Sequence, residues 1–352
     1  MNVSNRAISG ALSDFELSLS RNFGLTLRKY QRVISEAVLE HAFVHEDGIK
    51  LNIITMPTGS GKTFIEMAIA YFIVKLLGGK VLVLEPTRLL CDQMEKIWSG
   101  IFEDIAKGYE GRCEAFQRQP SVVITTPQTA LKCVETLKDY KFVIIDEVHH
   151  AFGNKFYVEL ITKLRPEFLF GFSALIPKRK KFRIPQEFVI NVGEPKYYEY
   201  DYAKLVEIDR EFKLPNVILD MFDSEFNEAE KELYERLLFE DIDGRTRYHL
   251  EKALASYGIK AFLESYENVL RKGNVTDILE GIHQIRGLSH KARTVLEVLE
   301  AYDVQNSPEL WPILIFTSRK VTAREIEKAI RSNFNLRVAV ITGDTSKRTD
   351  SE

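Results

Sequence analysis

The sequence predicts an α/β fold whose parallel sheet is covered by helices on both faces. Its strand candidates are short and continuously apolar, as expected of strands that are buried on both sides. Helical patterns separate these strands, and such alternation is typical of βαβ units. The predicted strands are Leu51–Thr55, Lys80–Leu84, Ser121–Thr125, Phe142–Ile145 and Phe168–Ser173.

The elements around these strands follow in chain order. A helix around Leu27–His41 precedes the first strand, and the polar stretch Lys107–Pro120 is predicted to be a compact loop. The apolar run Val189–Val192 is predicted to be a strand that closes this region. Four tyrosines come next in the chain. They could form a platform on which bases stack, but an extended connector that packs against the sheet is favoured. They are Tyr197, Tyr198, Tyr200 and Tyr202.

The run Met56–Thr63 reads MPTGSGKT and lies between the first strand and a helical pattern. Strand, glycine-rich loop and helix form the context of a phosphate-binding loop, although such loops usually begin with glycine rather than Met56. The glycines let backbone N–H groups approach phosphate oxygens, and the helix N-terminus adds positive partial charge. Lys62 can reach the outer phosphates, and the Thr63 hydroxyl can hold Mg²⁺. The predicted triphosphate site comprises Thr58, Gly59, Ser60, Gly61, Lys62 and Thr63.

A second motif, Asp146–Glu147, follows the apolar strand Phe142–Ile145. Ligands bind at the carboxyl ends of the strands in open α/β sheets. Asp146 is therefore predicted to hold Mg²⁺, and Glu147 to orient and deprotonate the attacking water. An acidic turn after a strand is common by itself, but its place downstream of a phosphate-binding loop favours catalysis. Lys62, Asp146 and Glu147 form the predicted catalytic set.

Together these motifs resemble the DExD/H-box superfamily 2 of nucleic-acid-dependent ATPases. The run DEVHHAFGN from Asp146, the run TTPQTA from Thr125 and the arginine before Tyr30-Gln31 resemble the Hef/FANCM and RIG-I-like branch. The resemblance spans about residues 25–346. It implies a RecA-like fold, ATP and Mg²⁺ as cofactors, and nucleic acid as partner, with DNA favoured and RNA left open.

The resemblance also implies roles for residues outside the two main motifs. Arg28 and Gln31 lie in a segment similar to the adenine-reading segment of the family. His149 and Ser173 match positions that couple hydrolysis to movement, although Leu175 stands where the family usually has a hydroxyl residue. The implied contacts to the nucleic-acid backbone are Arg88, Thr126, Ser318 and Arg319.

Three parts are predicted along the chain. They are a first RecA-like ATP-binding domain over 1–205, a helical insert or linker over 206–305, and an incomplete second RecA-like domain over 306–352. The last part is expected to contain a strand over 312–316, a helix over Thr322–Ser332 and a strand over 337–341. The insert resembles helices that grip nucleic acid in this branch, and a helical spacer without such contacts stays open.

The family carries its arginine fingers beyond the point that corresponds to Glu352. An arginine finger supplies about 10³–10⁵ in rate. We therefore expect this chain alone to bind ATP·Mg²⁺ but to hydrolyse it slowly. Another polypeptide is a candidate to supply the rest of the second lobe.

Composition agrees with an intracellular globular enzyme. The net charge of −3 does not decide nucleic-acid binding, because such binding depends on local basic patches rather than on the total charge. The clearest basic run is Lys178–Lys181 with Arg183. It is interpreted either as a solvated loop or as a contact to phosphate. Three cysteines without CxxC spacing argue against a disulfide framework or a zinc site and favour a reducing compartment. Neither a membrane-spanning run nor a secretory signal is visible. We expect a cytoplasmic protein, or a nuclear one in a eukaryote, without a membrane.

Two other functions remain open beside a helicase or translocase portion, which is favoured. A nucleotide-dependent nucleic-acid-binding module without motor activity would bind ATP but not hydrolyse it, even with a complementing lobe. A different phosphate-loop enzyme, such as a small-molecule kinase, would respond to a phosphate acceptor and ignore nucleic acid.

Overall fold

The computed structural model describes residues 3–45, 47–174, 183–271 and 287–342. The chain divides into two compact units, Met1–Asn216 and Val217–Glu352, and each is described by itself. The three-part division drawn from the sequence stays a prediction. Among the described residues, no helix combines the length and the apolar character that crossing a bilayer requires.

The first unit contains a seven-stranded sheet in which every neighbouring pair is parallel, so the α/β prediction is confirmed. The spatial order is β3-β4-β2-β5-β6-β1-β7. All carboxyl ends therefore lie along the same edge, where the loops after β1 and β5 carry the two main motifs. The strands are β1 (Leu51–Thr55), β2 (Val81–Leu84), β3 (Ile105–Gly108), β4 (Val122–Thr125), β5 (Phe142–Ile145), β6 (Phe168–Ser173) and β7 (Pro195–Glu199).

Helices cover both faces of this sheet. Successive strand residues point to opposite faces, so Ile144 enters one hydrophobic cluster while Val143 and Ile145 enter the other. This two-sided burial explains why the strands are continuously apolar. The helices are α1 (Asn5–Phe23), α2 (Lys29–Phe43), α3 (Lys62–Lys75), α4 (Arg88–Trp98), α5 (Glu114–Gln117), α6 (Pro127–Lys132), α7 (Lys155–Leu164), α8 (Gln186–Val192) and α9 (Tyr202–Ile208), with a 3-10 helix over Val148–His150.

Two sequence assignments in the first unit were wrong. The stretch predicted as a compact loop contains the end of β3 and the short helix α5; its edge strand alternates between half-buried and buried residues and lacks a long apolar run. The run Val189–Val192 belongs to helix α8, because Phe188 and Val192, four residues apart, share its buried side.

Tyr197 and Tyr198 belong to the edge strand β7, which pairs with β1, whereas Tyr200 follows this strand and Tyr202 begins α9. Tyr198 is buried, and its hydroxyl donates to Asn52 Oδ1 over 3.1 Å. The prediction that this connector packs against the sheet is confirmed.

The prediction about cysteines needs a correction. Cys113 and Cys133 form a disulfide across a Cα–Cα distance of 5.5 Å, and Cys91 is free and buried. The disulfide joins the start of α5 to the end of α6. Neighbouring strands β3 and β4 bring these two helices together, which the cysteine spacing in the sequence does not reveal.

The second unit is helical, as predicted for its first part. Its helices are α10 (Glu228–Phe239), α11 (Gly244–Tyr257), α12 (Ile259–Arg271), α13 (His290–Ala301) and α14 (Lys320–Asn333), with a 3-10 helix over Pro308–Leu310. The predicted helix Thr322–Ser332 lies within α14. The two predicted strands, 312–316 and 337–341, were wrong, because within the described ranges neither segment has a paired neighbour or strand structure.

Candidate functional site

The glycine-rich loop joins β1 to α3 at the carboxyl edge of the sheet. Gly59 and Gly61 have φ values of 78° and 76°, in the left-handed region that favours glycine. A side chain at Gly61 would also collide with Gln31, whose Nε2 lies 2.5 Å from the position of an added Cβ. Met56, the unusual first residue, is buried in the core, and its N–H donates to the Ser173 carbonyl over 3.0 Å.

Two side chains of α2 hold the backbone of the glycine-rich loop by hydrogen bonds. The Tyr30 hydroxyl donates to the Ser60 carbonyl over 2.5 Å. Gln31 Nε2 donates to the carbonyls of Ser60 and Gly61 over 3.2 and 3.3 Å, and Gln31 Oε1 accepts from the Arg28 N–H over 2.8 Å. Gln31 was predicted as a base contact; the structure shows its amide engaged with the loop, while Arg28 is exposed.

Lys62 and Thr63 form the first turn of α3 and are partly exposed, whereas Ser60 is buried with its Oγ donating to the Pro57 carbonyl over 2.7 Å. Thr58 and Gly59 are exposed. Exposed backbone N–H groups that lead into the N-terminus of a helix form a favourable site for an anion. The structure thus places the predicted loop residues between the end of β1 and the first turn of α3.

Asp146 and Glu147 follow β5 at the same edge. Burial raises the pKa of Asp146, against the lowering effects of the Glu147 N–H and the Lys62 ammonium. That N–H donates to Asp146 Oδ1 over 2.7 Å. Glu147 has a left-handed backbone with φ 45°, and its Oε2 is buried and lies 3.3 Å from His149 Nδ1. The charge of Lys62 therefore acts on the Asp146 carboxyl.

His149 connects these carboxylates with the end of β6. Its Nδ1 lies 2.8 Å from Ser173 Oγ and 3.3 Å from Glu147 Oε2. Burial, and then the neighbouring His150, lower the pKa of His149, so the ring is neutral at pH 7. Because the Ser173 carbonyl also accepts from Met56, this serine contacts both the phosphate loop and the histidine. Leu175 lies outside the described residues.

Two buried carboxyl groups beside the site were missed by the sequence reasoning. Glu66 on α3 and Glu85 after β2 are fully buried. Burial and then Asp146 raise the pKa of both groups, that of Glu85 to about 9. Glu66 is close enough to Asp146 to lower that group's pKa, yet neither glutamate makes a well-formed hydrogen bond within the described part of the chain. The signal was a glutamate inside an apolar run, FIEMAIA or VLVLEP.

The predicted nucleic-acid contacts are distributed over both units. Arg88 begins α4 and forms an ion pair with Glu110. Thr126 is the N-cap of α6, and its hydroxyl donates to Thr129 Oγ1 over 3.2 Å. Both lie after strands of the first sheet, at the edge that carries the loop.

Ser318 and Arg319 belong to the second unit. Arg319 is the N-cap of α14, and its guanidinium lies over the Tyr257 ring at 5.2 Å from the centroid. Ser318 is exposed in the segment before it. The basic run Lys178–Lys181 lies outside the described residues.

The residues present fit a magnesium nucleotide. Gly59 has open space where a side chain would project, and Lys62 and Thr63 follow it at the helix start. The described residues hold no cluster of three or more His, Cys, Asp or Glu suited to a metal. Mg²⁺ usually takes one or two protein carboxylates together with substrate phosphates and water. Thr63 and Asp146 match that demand.

Comparison with known proteins agrees with this geometry. Residues 24–178 match the family model described as the res subunit of type III restriction enzymes. Over 133 residues, 34% of this chain, the sequence is 36% identical to the ATP-dependent DNA helicase MPH1 of Kluyveromyces lactis. Over 114 residues, 28% of this chain, it is 31% identical to the ATP-dependent DNA helicase MER3 of Saccharomyces cerevisiae. These matches cover only 13% and 10% of the two relatives.

The fold is similar to that of the Hef helicase domain of Pyrococcus furiosus. That crystal structure matches with a TM-score of 0.53 and 20% identity, over 91% of this chain and 82% of the other. The RecA-like architecture predicted for the first unit is therefore confirmed. The phosphate loop and the DEVHH motif thus lie on one edge of a sheet whose fold is similar to that of a helicase domain, and the sequence around them is similar to parts of two DNA helicases.

Proposed function

We propose that the chain binds ATP and Mg²⁺ in its first unit and uses them, within a complete motor, to move along or separate nucleic acid. DNA is the favoured substrate, because MPH1 and MER3, to which parts of this chain are similar, are named as DNA helicases. An activity on DNA implies the cytoplasm, or the nucleus in a eukaryotic cell.

The observation that carries this proposal is the common edge shared by the loop, Asp146 and Glu147. Bound ATP·Mg²⁺ would supply an electrophilic γ-phosphorus and a divalent cation. Lys62 would bind the outer phosphates, and the Thr63 hydroxyl with the Asp146 carboxylate would hold the cation. Glu147 Oε2, buried and 3.3 Å from His149 Nδ1, would orient the attacking water and accept its proton.

The neutral His149 links this reaction to the rest of the sheet. Its Nδ1 lies within reach of both Ser173 Oγ and Glu147 Oε2. A change at Glu147 can therefore pass to Ser173, whose carbonyl is bonded to the start of the phosphate loop. This path supports the coupling role proposed for His149 and Ser173.

The binding step is tested by Lys62→Ala with ATP titration calorimetry. Loss of a charge-assisted contact to phosphate costs about 1.5–3 kcal/mol, so the dissociation constant should rise roughly 10- to 150-fold. Lys75→Ala, an exposed lysine at the end of the same helix, is the matched control and should bind as the unaltered chain does. Equal affinities for all three proteins would contradict the proposal.

A partner polypeptide for the second lobe is also proposed. Segments 312–316 and 337–341 expose Leu314, Phe316 and Ile341 with 74%, 89% and 83% of their surfaces accessible. Exposed apolar segments with unpaired backbone favour pairing with another strand. Hydrogen exchange should show these amides unprotected in the chain alone; strong protection there would argue against a missing partner.

A further inference from the structure

The proposed nucleic-acid contact Arg88 is already engaged by the chain itself. Its guanidinium pairs with the Glu110 carboxylate, and its Cζ lies 5.8 Å from the centroid of the Tyr109 ring. The Arg88 and Glu110 side chains remain 49% and 40% exposed. The pair therefore lies at the surface, within reach of an external phosphate.

Glu110 belongs to a short segment, Tyr109–Cys113, which we call the strap. Glu110 and Gly111 both have left-handed backbones, with φ values of 64° and 76°. Glutamate rarely adopts this conformation, and it persists only where surrounding contacts enforce it. The chain thus holds this carboxylate in place at a conformational cost.

Several contacts tie the strap to α6. The Gly111 N–H donates to Thr129 Oγ1 over 3.3 Å, and the Thr126 hydroxyl donates to the same oxygen over 3.2 Å. Cys113 is joined to Cys133 at the end of α6 by the disulfide. One segment therefore engages Arg88 directly and Thr126 through Thr129, which are the two nucleic-acid contacts proposed for the first unit.

We propose that Glu110 occupies the phosphate-binding position of Arg88, so that nucleic acid must displace this carboxylate to bind there. Arginine recognises carboxylate and phosphate with the same planar fork of N–H donors, and the two anions therefore compete. The strap lowers the affinity of the first unit for nucleic acid. This inference rests on the proposed function, because it requires that Arg88 contact a nucleic-acid phosphate.

The expected effect is modest, because the ion pair is half exposed. Exposed pairs of this kind contribute about 0.2–1 kcal/mol, so Glu110→Gln should tighten binding roughly 1.4- to 5-fold. Glu110 Oε2 also lies 3.6 Å from Arg112 Nη2. Neutralising Glu110 therefore releases up to two cations, and the plot of log affinity against log salt should steepen by at most about 1.8.

The experiment measures fluorescence anisotropy of a labelled forked DNA over a salt series with the full chain. The variants are Glu110→Gln, Arg88→Ala, the double variant and the control Glu135→Gln. Glu135 is an exposed carboxylate of the same unit, paired with Lys138, so its substitution changes the net charge equally. We expect tighter binding for Glu110→Gln, loss of most of that gain in the Arg88→Ala background, and no change for Glu135→Gln, because the remaining pair of Glu110, with Arg112, is longer and more exposed.

Different failures point to different errors. If Arg88→Ala weakens binding but Glu110→Gln matches Glu135→Gln, the inference is wrong and the proposed function stands. If the unaltered chain does not bind the fork, or Arg88→Ala leaves binding unchanged, the proposed contact is wrong and the inference falls with it.

Discussion

Glu85 in the first unit and Glu230 in the second are both fully buried, yet they differ in whether their carboxyl groups have hydrogen-bond partners. The Glu85 carboxyl has no hydrogen bond among the described residues, and burial followed by the charge of Asp146 raises its pKa to about 9. Glu230 accepts from the N–H of Asn227 and from the backbone and ring of His290. Burial alone would raise the pKa of Glu230, but the bonds from His290 and Asn227 outweigh it and lower the pKa.

A second buried carboxylate of the helical unit, that of Glu325, also has hydrogen-bond partners. Glu325 accepts from the Ser289 N–H over 3.0 Å and from Ser289 Oγ over 2.8 Å, and Lys260 Nζ lies 3.4 Å away. These contacts tie α14 to α12 and to the start of α13. Buried polar groups are normally satisfied in this way, and the exceptions concentrate at functional sites. The difference in hydrogen bonding therefore distinguishes the structural carboxylates of the second unit from the carboxyl groups beside the proposed nucleotide site.

The largest expected effect comes from neutralising a site carboxylate. Glu147→Gln removes the proposed base and should slow hydrolysis about 10²- to 10⁴-fold while leaving ATP affinity and folding nearly unchanged. Single-turnover hydrolysis with excess protein measures the rate even if the chain alone is slow. Glu159→Gln, an exposed residue of α7, is the control. Hydrolysis by Glu147→Gln at the rate of that control would exclude Glu147 as the base.

For a structural carboxylate such as Glu230, we expect a substitution to lower stability rather than the rate of hydrolysis. Glu230→Ala leaves the buried His290 ring and N–H without their partner, and each buried donor left unsatisfied costs about 1–3 kcal/mol. Urea unfolding of the full chain and hydrogen exchange of α10 and α13 should both report this loss. Glu228→Ala, a 91% exposed residue in the same first turn, should change little. Similar stability for the two variants would remove the distinction between the units.

The smallest expected effect is an increase in stability on substitution of Glu85. Glu85→Leu removes a buried carboxyl without a hydrogen-bond partner, and the free energy of unfolding at pH 7 should rise by about 1–3 kcal/mol. Asn52→Leu is a useful contrast, since that buried amide donates to the Ile49 carbonyl and its loss should destabilise. Denaturant unfolding checks both. A destabilised Glu85→Leu would show that Glu85 has a structural partner.

The pH dependence sharpens the same contrast. Folded Glu85 keeps a proton that the unfolded chain releases above about pH 4.5, so its contribution to stability falls as pH rises toward about 9. Folded Glu230 has a lowered pKa, so its contribution is complete above about pH 4.5 and is lost as pH falls through the folded value. Glu85→Leu should flatten the alkaline side of the stability curve, and Glu230→Ala the acid side.

The strands and the two main motifs were predictable because their signals are local. A continuous apolar run marks a strand buried on both faces, and the five runs named from the sequence all lie in the sheet. β3 was missed because an edge strand with Lys107 and Gly108 lacks that run. The segments 312–316 and 337–341 show the converse: apolar composition favours a strand, but a strand forms only where a neighbour pairs its backbone.

By itself, the sequence determined the parallel sheet, the phosphate-binding loop and the Asp146–Glu147 motif, because residue type and spacing within a few positions specify each of them. Only the tertiary structure decided that Gln31 holds the loop, that Glu110 pairs with Arg88 and that Cys113 meets Cys133. These contacts join residues distant along the chain, and the order of the strands brings them together. Hydrogen bonds and ion pairs depend on distances of a few ångströms, which composition and periodicity do not encode.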